Sequence, residues 1–414
     1  MEYRQHQLAN GLTILAECNP RAYMSAFGFF VKAGSCDETR AIGGVSHFLE
    51  HMVYKGTPNR SAEQVNLELD EMGCSSNANA RTGEESTIYH AAVLPEFQSQ
   101  LIHLMADMMR PSLREDDFET EKKVIIEEIM MYQDQPPYGG HEQIMASFFG
   151  DHPLGQSVLG TVKTVSDLTA DQMREYFDSR YSPGNMVFAA AGNVDFQQMV
   201  KDLEQLCGGW KPVEVERVCQ RADYQTGFDT LQKSSSQQQY LLQLSPGPAA
   251  ESPDRYAARV ATTVLGDDSG SRMYWEFLDP GVAESAGAGS YEYRNNGLMM
   301  TYICCAPETA QENLVRLKKL QDRFLDRGIT QKELDLAKRK IASHIVLSSE
   351  RTERRMFSVG SQWLIDQPFK EVSEIAEIYD SIALDQVNDV IRRYPPQVNT
   401  TLVVGPRVDL QPAS

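Results

Sequence analysis

The chain carries, at residues 47–51, the segment His47-Phe48-Leu49-Glu50-His51. Positions i, i+3 and i+4 share one face of a helix, so both imidazoles and the carboxylate of Glu50 point the same way. Val45 and Met52 continue the apolar body of that helix, and Gly56 is a fitting stop. A zinc ion with an open position polarises water and a carbonyl group, and a nearby glutamate takes the proton. The segment therefore predicts a metal centre with the chemistry of peptide hydrolysis.

A catalytic zinc usually has three protein ligands, so a third must come from elsewhere in the chain. The best candidate region is the run from Phe118 to Ile129, whose apolar residues mark a buried helix. Glu121 and Glu128 are two turns apart and share a face, whereas Glu127 points about 100° away from Glu128. The alternative interpretation of this run is a solvated acidic face paired with neighbouring lysines. The residues alone leave open whether Glu127 or Glu128 is the ligand.

The two segments together carry a family resemblance. His-x-x-Glu-His at 47–51 is the inverted zincin motif, and Glu-x-x-Val-Ile-x-x-Glu-Ile follows at 121–129. With them the chain resembles the M16 (pitrilysin/insulinase-type) metallopeptidases, in particular the short-subunit branch that includes the mitochondrial processing peptidase β-subunit and its bacterial homologues. Later landmarks that resemble the family are His152-Pro153-Leu154-Gly155 and Tyr181-Ser182-Pro183-Gly184-Asn185-Met186.

The resemblance implies a role for each site residue. It makes His47 and His51 zinc ligands and Glu50 the general base. Matching the second motif in register puts the third ligand at Glu128. Glu121 then falls on a carboxylate that orients a ligand and tunes its basicity.

Size and composition bound the remaining possibilities. A chain of 414 residues is expected to form two domains, and its net charge of −19 argues against a nucleic-acid partner. The seven cysteines are scattered without a Cys-x-x-Cys pair, which favours reduced thiols and a cytoplasmic location. The N-terminus lacks a signal-type apolar run, and no stretch approaches 18 apolar residues, so we expect no membrane partner.

The chain repeats itself once. Asp171-Gln172-Met173 leads through a proline turn to an apolar strand and then to Gly192-Asn193-Val194-Asp195. In the second half Asp385-Gln386-Val387 leads in the same way to Gly405-Pro406-Arg407-Val408-Asp409. Each copy predicts a helix, a turn, a strand and a glycine stop. We predict an N-terminal zinc-binding domain at 1–212, a linker at 213–238 and a homologous C-terminal domain at 239–414.

The order of elements, strands followed by paired helices, predicts an α+β fold. The resemblance adds that each half is an α/β roll of the LuxS/MPP-like metallohydrolase type, a mostly antiparallel sheet covered by helices. It also implies that two such halves pair with two more around an unfolded peptide, as a clam-shell. Addition of the peptide to a sheet edge near Asn77, Ala78 and Asn79 would hold it through its backbone. The alternative interpretation of that stretch is an ordinary polar turn.

The second half departs from the family pattern. Active members usually borrow an Arg and a Tyr from a second-half domain, but Pro280 stands where the Arg is expected and Glu284 where the Tyr is expected. A carboxylate repels a developing oxyanion instead of donating to it. There are three explanations. In the first, the missing groups are replaced by Tyr291, Tyr293 or Arg294; in the second, a different subunit supplies them; in the third, the chain has weak activity or has lost it. We favour the second explanation.

Two function classes follow. The first is a zinc endopeptidase that acts on unfolded peptides, as the zinc-bearing subunit of a heterodimer or as a homodimer. The second is a non-catalytic scaffold of the same fold. A homologue that has lost catalysis would not need to retain the complete set of His47, Glu50, His51 and Glu128. Because all four are present, we favour the enzyme.

Overall fold

The computed structural model describes residues 1–413, with residues 136–138 described by their backbone only. Its strands form two sheets. In chain order the strands are β1 (Glu2–Gln7), β2 (Thr13–Cys18), β3 (Ser25–Val31), β4 (Asn79–Thr82), β5 (Thr87–Val93), β6 (Met186–Gly192), β7 (Gly227–Gln232), β8 (Gln239–Pro246), β9 (Ser285–Tyr293), β10 (Asn296–Cys305) and β11 (Thr400–Gly405).

The helices pack against these sheets and connect their strands. They are α1 (Val45–Val53), α2 (Ala62–Glu71), α3 (Gln98–Met108), α4 (Glu115–Asp134), α5 (Pro136–Phe149), α6 (Val162–Asp167), α7 (Ala170–Arg180), α8 (Phe196–Cys207), α9 (Asp254–Gly266), α10 (Ala310–Arg327), α11 (Gln331–Ser349), α12 (Thr352–Leu364), α13 (Val372–Ser381) and α14 (Leu384–Arg393). No helix in the described part of the chain is both long enough and apolar enough to cross a membrane.

The first sheet has the strand order β1-β2-β6-β3-β5-β4. Its β2–β6 pair is parallel, and its other neighbours are antiparallel. Alternate side chains of β3 point to opposite faces, and both faces are buried: Phe27 belongs to the main core with Phe48 and Phe118, while Phe30 packs with Met356 on the other side. The metal-motif helix α1 and helix α4 therefore lie on one face of this sheet.

The second sheet has the order β7-β11-β8-β10-β9, with one parallel pair, β7–β11. This is the arrangement of the first sheet without β1, because β7, β11, β8, β10 and β9 take the places of β2, β6, β3, β5 and β4. The predicted repeat corresponds to this match, since its two copies end in β6 and β11. The predicted fold class is confirmed as two α/β units with mixed sheets covered by helices.

The two compact units are not contiguous in sequence. The first comprises Met1–Met130, Gln156–Val218 and Leu347–Phe369, and the second comprises Met131–Gly155, Cys219–Val346 and residues 370–413. Helix α12 packs on β2, β3 and β6 of the first unit, and α5 packs on β8 and β11 of the second.

The structure thus differs from the predicted division at 1–212, 213–238 and 239–414. Each sheet is covered on its second face by a helix from the other half of the sequence, because both faces of its central strands are apolar. The segment predicted as a linker also contains β7, which pairs with β11.

Candidate metal centre

Helix α1 begins at a glycine that no other residue could replace without strain. Gly44 precedes the helix with φ of +94°, and a Cβ atom there would meet the carbonyl oxygen of Leu159 at 2.5 Å. From that start the apolar side of α1 enters the core, where the Phe48 ring stacks on the Phe118 ring of α4 with centroids 4.6 Å apart. This contact holds the histidines of α1 against the acidic residues of α4.

Three side chains converge between these helices. Glu128 Oε2 lies 3.8 Å from His47 Nε2 and 3.6 Å from His51 Nε2. One ligand atom from each of the three residues lies within 4.8 Å of the others. Glu127 is exposed on the adjacent side of α4 and is not a member of this group. The structure therefore brings together the ligand set that the sequence predicted, with Glu128 and not Glu127 facing the histidines.

This donor set fits a zinc ion. Zinc bonds of about 2.0–2.2 Å at tetrahedral angles put ligand atoms about 3.3–3.6 Å apart, close to the two distances from Glu128. Zinc binds neutral imidazole, and burial, with His51 nearby, lowers the pKa of His47 to about 3. His47 Nδ1 is buried and has no hydrogen-bond partner within the described residues.

Glu121 and Lys55 orient the second histidine. Nδ1 of His51 lies 3.0 Å from Glu121 Oε1, and Lys55 Nζ lies 2.5 Å from Glu121 Oε2. With the proton on Nδ1, the lone pair of Nε2 faces Glu128. Burial raises the pKa of Glu121, but the hydrogen bonds from His51 and Lys55 outweigh burial and leave that pKa lowered. The ionised carboxylate is therefore the state that holds the ring.

Glu50 stands beside the three converging residues and is held by a strand. The hydroxyl of Thr82, the last residue of β4, donates to Glu50 Oε2 over 2.5 Å. Burial raises the pKa of Glu50, and the hydrogen bond from Thr82 partly opposes that shift. Such a carboxylate is held in one orientation by the strand and is a group that can accept a proton.

The residues predicted to bind substrate are divided by the structure. Asn77 ends a short 3-10 turn, Ala78 connects it to the sheet, and Asn79 begins β4. Strand β4 is the last strand of its sheet in the described chain and pairs on one side with β5. Of the three predicted residues only Asn79 lies on this edge strand, which continues to Thr82.

The second unit shows where the departures from the family pattern lie. Pro280 and Glu284 are both exposed, and Glu284 accepts a hydrogen bond from Gln238. The Tyr291 side chain is exposed on β9, whereas the Tyr293 ring packs edge-on against Phe149. A proline side chain carries no hydrogen-bond donor, and an ionised glutamate only accepts, so neither residue offers the donor that the family pattern has there.

Sequence reasoning missed three residues that support the site: Thr82, the orienting Lys55 and the buried Glu38, whose two oxygens bind the start of α1. Thr82 lies just beyond the predicted substrate-binding stretch, and no local pattern in the sequence marks its contact with Glu50. Lys55 acts through a contact with Glu121 on a helix distant in sequence. Glu38 binds backbone amides six and eight residues ahead of it, a contact that helix and strand periodicity do not mark.

Comparisons with known proteins agree with this geometry. Residues 13–162 match the family described as Insulinase (Peptidase family M16), and residues 167–341 match the Peptidase M16 inactive domain. An uncharacterized zinc protease of Streptomyces coelicolor is 32% identical over 417 residues, covering 99% of this chain and 90% of the relative. An uncharacterized zinc protease of Bacillus subtilis is 31% identical over 399 residues, covering 94% of this chain and 95% of the relative.

Two solved structures share the fold. A protease from Helicobacter pylori has a TM-score of 0.90 at 18% identity and covers 98% of this chain and 99% of its own. A peptidase M16 inactive domain from Pseudomonas fluorescens has a TM-score of 0.90 at 18% identity and covers 100% of both chains. At this identity the likeness concerns the fold, and the resemblance to the mitochondrial processing peptidase branch stays a prediction.

Proposed function

Because this chain belongs to peptidase family M16, we propose that it is a zinc-dependent endopeptidase that hydrolyses unfolded peptides. One observation carries the proposal: His47 Nε2, His51 Nε2 and Glu128 Oε2 converge on one point beside the carboxylate of Glu50. The relatives named zinc proteases support the choice of metal. A purely structural zinc site would have four closed ligands and no use for Glu50.

In this proposal His47, His51 and Glu128 hold the zinc ion, which when bound polarises a water molecule and the scissile carbonyl group. Glu50 accepts the proton of the attacking water and returns it to the leaving amine. Thr82 keeps the Glu50 carboxylate in one orientation during both transfers.

The proposed substrate is an extended peptide that adds to β4. An edge strand offers a row of unpaired N–H and C=O groups, so a peptide in the same conformation binds through its backbone and with little sequence preference. Because Thr82 ends β4 and touches Glu50, a peptide paired with this strand would run close to the general base. Asn79 would lie in this edge, and Asn77 and Ala78 would flank it.

The test is turnover of an internally quenched, unstructured peptide by the zinc-loaded protein, with Glu50→Gln and Glu127→Gln as paired variants. We expect Glu50→Gln to keep one zinc per chain and lose hydrolysis, because the amide cannot accept the proton. Glu127→Gln, an exposed change on α4, should keep both zinc and hydrolysis. Retained turnover in Glu50→Gln would reject Glu50 as the base. Zinc binding without any turnover by the natural sequence, both alone and when mixed with an M16 homologue that carries the Arg and Tyr, would favour the non-catalytic scaffold.

The partner is a further part of the proposal. Since Pro280 and Glu284 replace the family's Arg and Tyr, we propose that a second subunit supplies these groups, in a heterodimer with an M16 homologue or, failing that, in a homodimer. The observation in support is that both residues are exposed and that neither side chain can donate a hydrogen bond to an oxyanion. Robust hydrolysis by the isolated chain that survives substitution of Tyr291, Tyr293 and Arg294 would contradict the need for a partner.

A further inference from the structure

A buried carboxylate outside the metal centre is attached to the metal-motif helix. Glu38 follows the 3-10 turn Ser35–Asp37 and is only 6% exposed. Its Oε2 accepts from the backbone N–H of Gly44, and its Oε1 accepts from the backbone N–H of Ser46, each over 2.7 Å. Both oxygens are therefore occupied by amides of the first turn of α1 and its preceding residue, immediately before His47.

The attachment extends to the neighbouring helix. The Ser46 hydroxyl lies 2.6 Å from the hydroxyl of Tyr176 on α7, and Tyr176 also donates to the carbonyl of Gly34 over 3.4 Å. Glu38 is thus joined through Ser46 to a second buried element. The adjacent Asp37 has a different function, since it pairs with Arg217 over 2.9 Å.

The stability of the fold does not by itself explain this carboxylate. An ionised group held in the interior by amides costs folding free energy that an uncharged residue would avoid. Burial raises the pKa of Glu38 to about 7, and the hydrogen bonds from Ser46 and Gly44 oppose that shift only in part. The carboxylate provides two hydrogen-bond acceptors, one for each of the backbone N–H groups of Gly44 and Ser46. A glutamine of the same shape has only one acceptor, and its NH2 group would face the other N–H.

We propose that Glu38 is a positioning residue of the metal centre: by binding the amides of Gly44 and Ser46 it fixes the start of α1, and thereby the direction in which His47 presents Nε2 to the metal. The inference rests on the proposed zinc site, but it does not require that the site be catalytic. It assigns a role in metal geometry to a residue that touches neither metal nor substrate. Helix α1 is short, so a change at its first turn reaches His47 directly.

The test compares Glu38→Gln with Asp202→Asn, in the metal-free protein and after loading. Asp202 is a matched control because it is a carboxylate of the same unit, 5% exposed, held by Ser99 and Gln198 far from α1 in sequence. Three quantities are measured at pH 8: the zinc Kd by chelator competition, the visible absorption of the cobalt(II)-substituted protein, and the Tm of the metal-free protein.

We expect Glu38→Gln to weaken zinc binding by about 10- to 100-fold, the range for groups that orient ligands. Its cobalt spectrum should change, because the ligand geometry changes, while its metal-free Tm should not fall. Asp202→Asn should leave the zinc Kd and the cobalt spectrum unaltered, whatever it does to Tm.

The inference is overturned if Glu38→Gln keeps the natural zinc Kd and cobalt spectrum. It is also overturned if the variant fails to fold, or loses Tm in step with zinc affinity, since Glu38 would then be a structural cap alone. The proposed function fails separately: a natural chain that binds zinc, responds to Glu38→Gln as expected and hydrolyses no peptide, even when mixed with an M16 homologue that carries the Arg and Tyr, would retain this inference and lose that one.

Discussion

Replacing Glu121 by glutamine is the substitution whose effect on the metal centre is best defined by the structure. Glu121 is buried on α4, where Oε1 accepts from His51 Nδ1 over 3.0 Å and Oε2 lies 2.5 Å from Lys55 Nζ. A glutamine has one acceptor for these two donors, and its NH2 group must face the other. Either His51 loses its hydrogen bond or the Lys55 ammonium group meets an N–H.

The magnitude follows from the bond that is lost. A hydrogen bond to a charged group contributes about 1.5–3 kcal/mol, and about 1.4 kcal/mol corresponds to a tenfold change in Kd. Glu121→Gln is therefore expected to weaken zinc binding about 10- to 100-fold, which agrees with the general range for outer-sphere partners of metal ligands. The ligand atoms themselves are unchanged, so zinc should still bind at one per chain.

The assay is chelator competition for zinc at pH 8, with Glu119→Gln as the control. Glu119 lies on the same helix, with its side chain 54% exposed and paired with Lys122, and the same acid-to-amide change there should not alter the zinc Kd. An unchanged Kd in Glu121→Gln would refute the reasoning. Equal weakening in both variants would show that the net charge of α4, and not the bond to His51, governs affinity.

Three further predictions concern the ligand, a titration and the core. Glu128→Gln should lower zinc content far more than Glu127→Gln, measured by metal analysis; the reverse order would move the ligand. Glu38 has a pKa of about 7 in the folded chain, against an ordinary 4.5 in the unfolded chain, so the free energy of unfolding should fall by about 3 kcal/mol as pH rises from 4.5 through 7. Urea unfolding of the natural chain should show this fall relative to Glu38→Gln, and parallel pH dependences of the two proteins would contradict it. Phe48→Ala, which removes the ring stacked on Phe118, should lower the free energy of unfolding by about 3–5 kcal/mol. A loss of only ~0.5 kcal/mol, as surface substitutions give, would contradict the packing of α1 on α4.

Much of the site was predictable because helix periodicity is a local property. The spacing of His47, Glu50 and His51 gives one face directly, and the seven-residue step from Glu121 to Glu128 puts both carboxylates on one side of α4. In the structure these two faces meet, with His51 Nε2 3.6 Å from Glu128 Oε2 and His51 Nδ1 3.0 Å from Glu121 Oε1. The choice between Glu127 and Glu128 needed the resemblance in the sequence and a contact between helices in the structure.

The division into units was not predictable from periodicity. Strands β3 and β11 are buried along their whole length, which indicates cover on both faces, but a continuous apolar run does not say which helix provides it. Helices α12 and α5 do so from the other half of the sequence. Their partners are set by tertiary packing, as where Met356 of α12 packs on Phe30 of β3.

The edge strands of the two sheets were also poorly predicted from the sequence. Strand β7 lies in a polar segment and carries partly exposed side chains, so its sequence predicts a linker as readily as a strand. Strand β4 is four residues long and begins at Asn79, two residues after the predicted start of the substrate-binding stretch. Short edges have few buried positions, and the hydrophobic pattern that fixes a strand's register is faint there.

A crystal structure of the zinc-loaded protein, with anomalous differences measured on both sides of the zinc edge, would locate the metal and identify its ligands. We expect one zinc peak within about 2.0–2.2 Å of His47 Nε2, His51 Nε2 and a Glu128 oxygen, with Glu50 outside the coordination sphere and still bound by Thr82. A zinc ion held elsewhere, or one that takes Glu50 as a ligand in place of Glu128, would contradict this expectation.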